Sequence, residues 1–117
     1  MKKLLLIISL ITIISSCKKS DQQIITDKWE LEGIYNYVDG SIYTNDNGNI
    51  LQFKNDGTLK YEGKYGVPME GIWELISNGE EIEISGATLS GTYNIVKLTK
   101  QELYFGDKRE EYRFKRK

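Results

Sequence analysis

The chain has no histidine, one cysteine and one proline. Without histidine, Ser–His and Cys–His nucleophilic catalysis are excluded. Zinc, copper and haem sites of the usual kinds lose their commonest ligands. A single cysteine cannot close an intrachain disulfide. No glycine-rich phosphate loop opens a helix, because no helical periodicity follows one. Basic charge is not in excess either. The chain carries 16 Lys and Arg against 17 Asp and Glu, which argues against nucleic acid, whose recognition wants a basic stripe. The local basic run Lys115-Arg116-Lys117 reads as a charged tail that keeps a last strand soluble. Asp46-Asn47-Gly48-Asn49 offers oxygen ligands but lacks the spacing and closing glutamate of a calcium loop. Glu80, Glu81, Glu83, Glu110 and Glu111 read as solvated strand faces rather than an acid–base pair. The expectation is a protein with no enzymatic activity, no metal and no cofactor.

The N-terminus carries a different signal. Lys2 and Lys3 precede an apolar run of 11 residues, Leu4 to Ile14. A spanning helix needs about 20, so the run is too short to cross and fits a secretory signal. It ends in Ile14-Ser15-Ser16-Cys17, which resembles the lipobox of bacterial lipoproteins. That resemblance implies cleavage before Cys17, diacylglycerol on its sulfur and acylation of the new amine. It also accounts for a lone cysteine in an oxidising compartment, where a free thiol is a liability. Residues 1–16 are then a signal peptide and residues 17–26, polar from Lys18 to Gln23, a flexible tether. Lys18 stands where an acidic residue resembles an inner-membrane retention signal, which favours the outer membrane. Without residues 1–16, 14 basic and 17 acidic residues remain, a formal charge of −3.

From Asp27 onward the periodicity is two. Leu51 and Phe53 alternate with Gln52 and Lys54, Leu59 and Tyr61 with Lys60 and Glu62, and Trp73 and Leu75 flank Glu74. The run from Tyr93 changes phase near Val96, which suggests a β-bulge. Asn55-Asp56-Gly57 and Ser77-Asn78-Gly79 are hairpin signals. Asp39-Gly40, Asp46-Asn47-Gly48 and Gly106-Asp107 mark further reversals. Strands are expected at 28–38, 49–54, 58–64, 71–76, 80–85, 91–98, 102–106 and 110–116. The fold class is therefore all-β, an antiparallel up-and-down meander of about eight strands over residues 27–117. Closure into a barrel buries its apolar face and removes its edges. The inward set is Trp29, Leu31, Leu51, Phe53, Leu59, Trp73, Leu75, Ile82, Ile84, Ile95, Leu98, Leu103, Phe105, Tyr112 and Phe114.

The ordered blocks Trp29-Glu30-Leu31, Phe53-Lys54-Asn55-Asp56-Gly57-Thr58, Gly71-Ile72-Trp73 and Tyr93-Asn94-Ile95-Val96-Lys97-Leu98 resemble the lipocalin-like domain of small bacterial lipoproteins of the Bacteroidota type. The resemblance spans about residues 27–116 and implies a small up-and-down barrel. Eight strands leave an interior either filled by side chains or able to hold one small ligand. Two functions stay open. In the first, a barrel tethered to the membrane through Cys17 binds a small apolar or amphipathic ligand. Tyr35, Tyr37, Tyr61, Tyr65, Trp73 and Tyr93 would line its mouth, where apolar rings with polar tips suit such a ligand. In the second, the lipoprotein binds a protein, as a hydrolase inhibitor, immunity or assembly factor. Its exposed loops at 39–48 and 64–70 would make the contact.

Overall fold

A computed structural model describes residues 21–44, 48–63 and 66–117. The expected signal peptide, residues 17–20 of the expected tether with Cys17, and Tyr65 lie outside the described residues. Among the described residues nine strands form, in the order β1 (Lys28–Asn36), β2 (Ile42–Thr44), β3 (Ile50–Phe53), β4 (Thr58–Glu62), β5 (Met69–Ile76), β6 (Glu81–Gly86), β7 (Gly91–Leu98), β8 (Glu102–Gly106) and β9 (Glu110–Arg116). All pairings are antiparallel between neighbours, and β9 returns to β1. That pairing closes the barrel and leaves its main wall without edges.

Nine strands make only eight staves. The β9 pairing occupies one edge of β1 from Trp29 to Asn36. Both β2 and β3 therefore share the other edge, β3 opposite Lys28–Glu30 and β2 opposite Gly33–Tyr35. Together they make one stave. The short β2 was not anticipated, because Ile42, Tyr43 and Thr44 are all exposed and show no alternation of burial to read.

Chain reversals follow the turn chemistry. Asp56 accepts hydrogen bonds from the Thr58 amide and hydroxyl at 2.9 and 2.6 Å, and Gly57 takes φ 87°. Such a conformation is open to glycine at little steric cost. Ser77, Asn78 and Gly79 all have positive φ.

All fifteen residues expected to face inward are in or against the core. Trp29, Phe53, Phe105, Phe114, Leu51, Leu59, Ile82, Ile84 and Leu103 are almost wholly buried. Each indole satisfies its N–H, Trp29 on the Ile25 carbonyl at 2.9 Å and Trp73 on the Lys54 carbonyl at 3.0 Å. Aromatic rings pack edge-on or stacked through the middle, with Phe53–Trp73 at 5.1 Å, Tyr93–Phe105 at 5.2 Å and Phe105–Phe114 at 5.4 Å.

Both ends of the barrel are plugged. At the lower end, where β1 begins and β9 finishes, residues 21–25 are helical and Ile25 is fully buried. These residues fall within the span 17–26 expected to be a tether. Ile25 is apolar and sits four residues before Trp29, so burying it satisfies the indole and closes the barrel together. At the upper end, the β6–β7 connection turns inward and buries Ala87 and Leu89. The Tyr93 hydroxyl donates to the Leu89 carbonyl at 2.8 Å and holds that loop in place.

Candidate functional site

Two bulges decide which side chains face out. On β7 the register steps between Ile95 and Lys97, at the expected position. On β1 it steps between Leu31 and Gly33, so Glu32 is an extra residue. Leu31 pairs with inward Phe114, but Gly33 pairs with Arg113, Ile34 with Tyr112 and Tyr35 with Glu111. Period two flips across a single extra residue. Ile34 thus packs against the core, and Tyr35 lies on the outer wall. Gly33 is required here, because a Cβ would come within 2.7 Å of the Tyr43 carbonyl oxygen.

The expected aromatic mouth is therefore divided. Tyr61, Trp73 and Tyr93 face inward. Trp73 and Tyr93 are buried core residues, and half-buried Tyr61 accepts a hydrogen bond from the Asn49 amide at 3.0 Å. Burial pushes the Tyr61 and Tyr93 phenols above their usual range. Tyr35 and Tyr37 lie outside the barrel, although in the sequence they share the parity of inward Trp29 and Leu31. The physical reason is the Glu32 bulge. The cavities formed by described residues at residues 21–22 with 75–79, 72–85, 81–109 and 36–110 all lie at the surface or the rims. None is lined by the inward Tyr61 or Tyr93.

The outer wall of β1, β9, β8 and β7 carries the most organised cluster. Glu111, expected to be a solvated face residue, is only 3 % exposed. Its carboxylate accepts from the Tyr37 hydroxyl at 2.5 Å and from Arg113 Nε at 2.7 Å. A buried charge is tolerated when paired and hydrogen-bonded in this way. The Arg113 guanidinium lies over the rings of Tyr35 and Tyr104, 5.0 and 5.2 Å from their centroids. Tyr35 and Tyr37 meet edge to face at 5.2 Å. Below them, Tyr104 donates to Glu102 at 2.6 Å, and Glu102 pairs with Lys97 at 2.8 Å. The hydrogen bond to Glu111 raises the Tyr37 pKa and the one to Glu102 raises that of Tyr104. Hydrogen bonds from Lys97 and Tyr104 hold the Glu102 carboxyl below its ordinary value.

This wall is pre-organised. Its rings are held by cation–π contacts and its carboxylates by charge-assisted hydrogen bonds. Tyr37 remains 46 % exposed, and Val38 and Ile42 beside it are 81 % and 59 % exposed. The opposite outer wall is acidic, with Glu74 directly across from Glu83 on β5 and β6. Sequence alternation alone could not find the aromatic wall. The available signal was Ile34, an apolar residue out of phase with Trp29 and Leu31 and next to a glycine, the pattern that marked the bulge at Val96.

No protein-family model and no curated protein matches the chain. Solved structures do. A lipocalin-like protein from Bacteroides uniformis superposes with a TM-score of 0.69 at 18 % identity, over 80 % of this chain and 99 % of that one. An uncharacterized protein from Bacteroides eggerthii superposes with a TM-score of 0.65 at 17 % identity, with the same coverage. The fold is therefore that of lipocalin-like barrels.

Proposed function

We propose that this is a lipid-anchored binding domain of the bacterial envelope, tethered through Cys17 at the outer membrane, whose barrel recognises a protein through the outer wall of β1, β9 and β8. The carrying observation is where the aromatics sit. Buried side chains from Ile25 to Leu89 form one core inside the barrel, whereas Tyr35, Tyr37, Tyr104 and Arg113 are presented outside. Tyrosine and arginine are the residue types that dominate protein-binding hot spots, because they combine large contact area with fixed polar tips. The tether is supported by the sequence Ile14-Ser15-Ser16-Cys17 behind a basic, apolar leader, and two or more acyl chains anchor stably. A lipocalin-like fold also fits a second reading, a small apolar ligand near half-buried Tyr61 and Tyr112.

Photo-crosslinking in cells tests the choice. With a photoreactive phenylalanine at position 104 or 35, one discrete protein adduct is expected. The same probe at position 83, on the acidic wall, should give none, and Arg113→Glu should abolish the adduct. Equal adducts from both walls would refute the protein reading, and a co-purifying lipid inside the barrel would replace it with the ligand reading. An intact mass without a diacylglyceryl group on Cys17 would refute the anchor.

A further inference from the structure

The two ends of the barrel differ in charge as well as in their plugs. At the lower end, β9 finishes beside the start of β1 and the β7–β8 turn. There the Arg116 guanidinium donates to the Lys100 carbonyl at 3.2 Å and pairs with Asp27. The Lys117 amide donates to the Lys28 carbonyl at 3.1 Å. Lys115 approaches Glu30 at 3.9 Å, and Lys97 pairs with Glu102 at 2.8 Å. Lys28, Lys97, Lys100, Lys115, Arg116 and Lys117 thus gather on one flank against Asp27, Glu30 and Glu102, a local excess of three positive charges on a chain whose total is −1. All six cations are exposed. Those carboxylates already have partners, while Lys28, Lys100 and Lys117 have no ion pair among the described residues.

The same end receives the N-terminus. Asp21 begins the described chain and packs against the β5–β6 turn, its carboxylate 3.1 Å from where a Cβ on Gly79 would lie. Only four chain links separate Asp21 from Cys17. Fully extended, they reach about 14 Å. An anchor at Cys17 therefore holds the lower end against the bilayer and the upper connections away from it. The other side of that end carries Asp21, Glu80 and Glu81, so a negative surface attracts the β1–β8–β9 flank and repels the rest.

We propose that this cationic flank at the lower end of the barrel docks on anionic lipid headgroups, fixing the orientation of the anchored domain. The proposal rests on the lipid-anchor reading for its geometry. Charge complementarity and the short reach from Cys17 to the barrel both point to a lipid surface as the occupant. Docked this way, the upper part of the aromatic wall stands open, because Tyr37, Glu111 and Arg113 lie toward the upper end of the same staves, whereas Tyr104 lies next to Lys97 of the docked flank.

The flank can be tested without the anchor. The chain from residue 17 onward, carrying Cys17→Ser, is sedimented with vesicles of phosphatidylglycerol and phosphatidylcholine and with vesicles of phosphatidylcholine alone. Retention is expected only on the anionic vesicles and should fall as salt rises. Lys100→Glu with Lys117→Glu should weaken it at least tenfold, since each surface cation contributes about fivefold. The charge-matched pair Lys60→Glu with Lys108→Glu should leave it unchanged, with melting curves confirming that both variants fold. No retention, equal retention on neutral vesicles, or equal losses in the two double variants would overturn the proposal. A missing diacylglyceryl group on Cys17 in the intact mass refutes the anchor alone and leaves the vesicle result standing.

Discussion

Two sets of aromatic residues stand a single sheet thickness apart and are held by opposite means. Inside, Trp29, Phe53, Phe105 and Phe114 are almost wholly buried and packed ring against ring. Outside, Tyr35, Tyr37 and Tyr104 are fixed by a guanidinium and two carboxylates. The inner set stabilises by removing apolar area from water, and its one polar group, the Trp29 indole N–H, donates to the Ile25 carbonyl. The outer set gains little from burial, and its order depends on charge-assisted hydrogen bonds. Aromatic side chains that do not build the core, yet are held in place, are available for recognition. The Glu32 bulge creates the division, by turning the second half of β1 over.

Substitutions separate the two sets. The largest effect belongs to the interior. Phe105→Ala removes a ring that touches Tyr93, Tyr112 and Phe114 and should cost about 3–5 kcal/mol. Its neighbour on the same strand, Tyr104→Ala, should cost under about 1 kcal/mol, as surface substitutions usually do. Denaturant unfolding of both variants compares them directly, and similar losses would erase the distinction. Glu111→Gln comes next, at about 1–2 kcal/mol, because Arg113, 35 % exposed, can turn to water once its buried partner is neutral.

The same variant sharpens the comparison by titration. Tyr37 and Tyr104 are raised by carboxylate hydrogen bonds, and Tyr61, Tyr93 and Tyr112 first by burial. Each phenol ionises later in the folded chain than near pH 10 in the unfolded one. Its contribution is whole below about pH 10 and is lost as pH rises through the folded value. Carbon-13 labelled tyrosine spectra should show Glu111→Gln returning Tyr37 toward its ordinary value and leaving Tyr112 where it was. The one stabilising change concerns the upper connection. Thr88 holds φ 61°, a left-handed conformation that disfavours a β-branched residue. Thr88→Gly should raise stability by about 1 kcal/mol, read as a higher melting temperature, if Leu89 and the Tyr93 hydroxyl alone keep the loop inward.

Most of the fold was legible because burial on one face of a strand imprints alternation. Within β3, β4, β5, β6, β8 and β9 the inward residues sit two apart, and the Val96 phase change on β7 is visible because Ile95 and Leu98 bracket it. Three features left no such imprint. The turn carrying Ile25 is short and flanked by polar residues. Leu89 is buried from a loop, where period has no meaning. Exposed β2 has no inward face. The site was less legible than the core, since Tyr35 and Tyr37 share the parity of Trp29 and Leu31 in the sequence, and one extra residue at Glu32 reverses their side. Glu111 could not be read as buried, because its cover comes from Tyr37 and Arg113, and Tyr37 is 74 residues away in the chain.

Recognition at the outer wall, as proposed, requires a barrel interior that takes up no apolar ligand. Methyl NMR of Ile82, Ile84, Leu51, Leu59 and Leu103 during titration with a long-chain fatty acid tests this. These five inward residues should keep their resonances throughout. Saturable shifts at Ile84 and Leu103 would show a ligand inside the barrel and contradict outer-wall recognition.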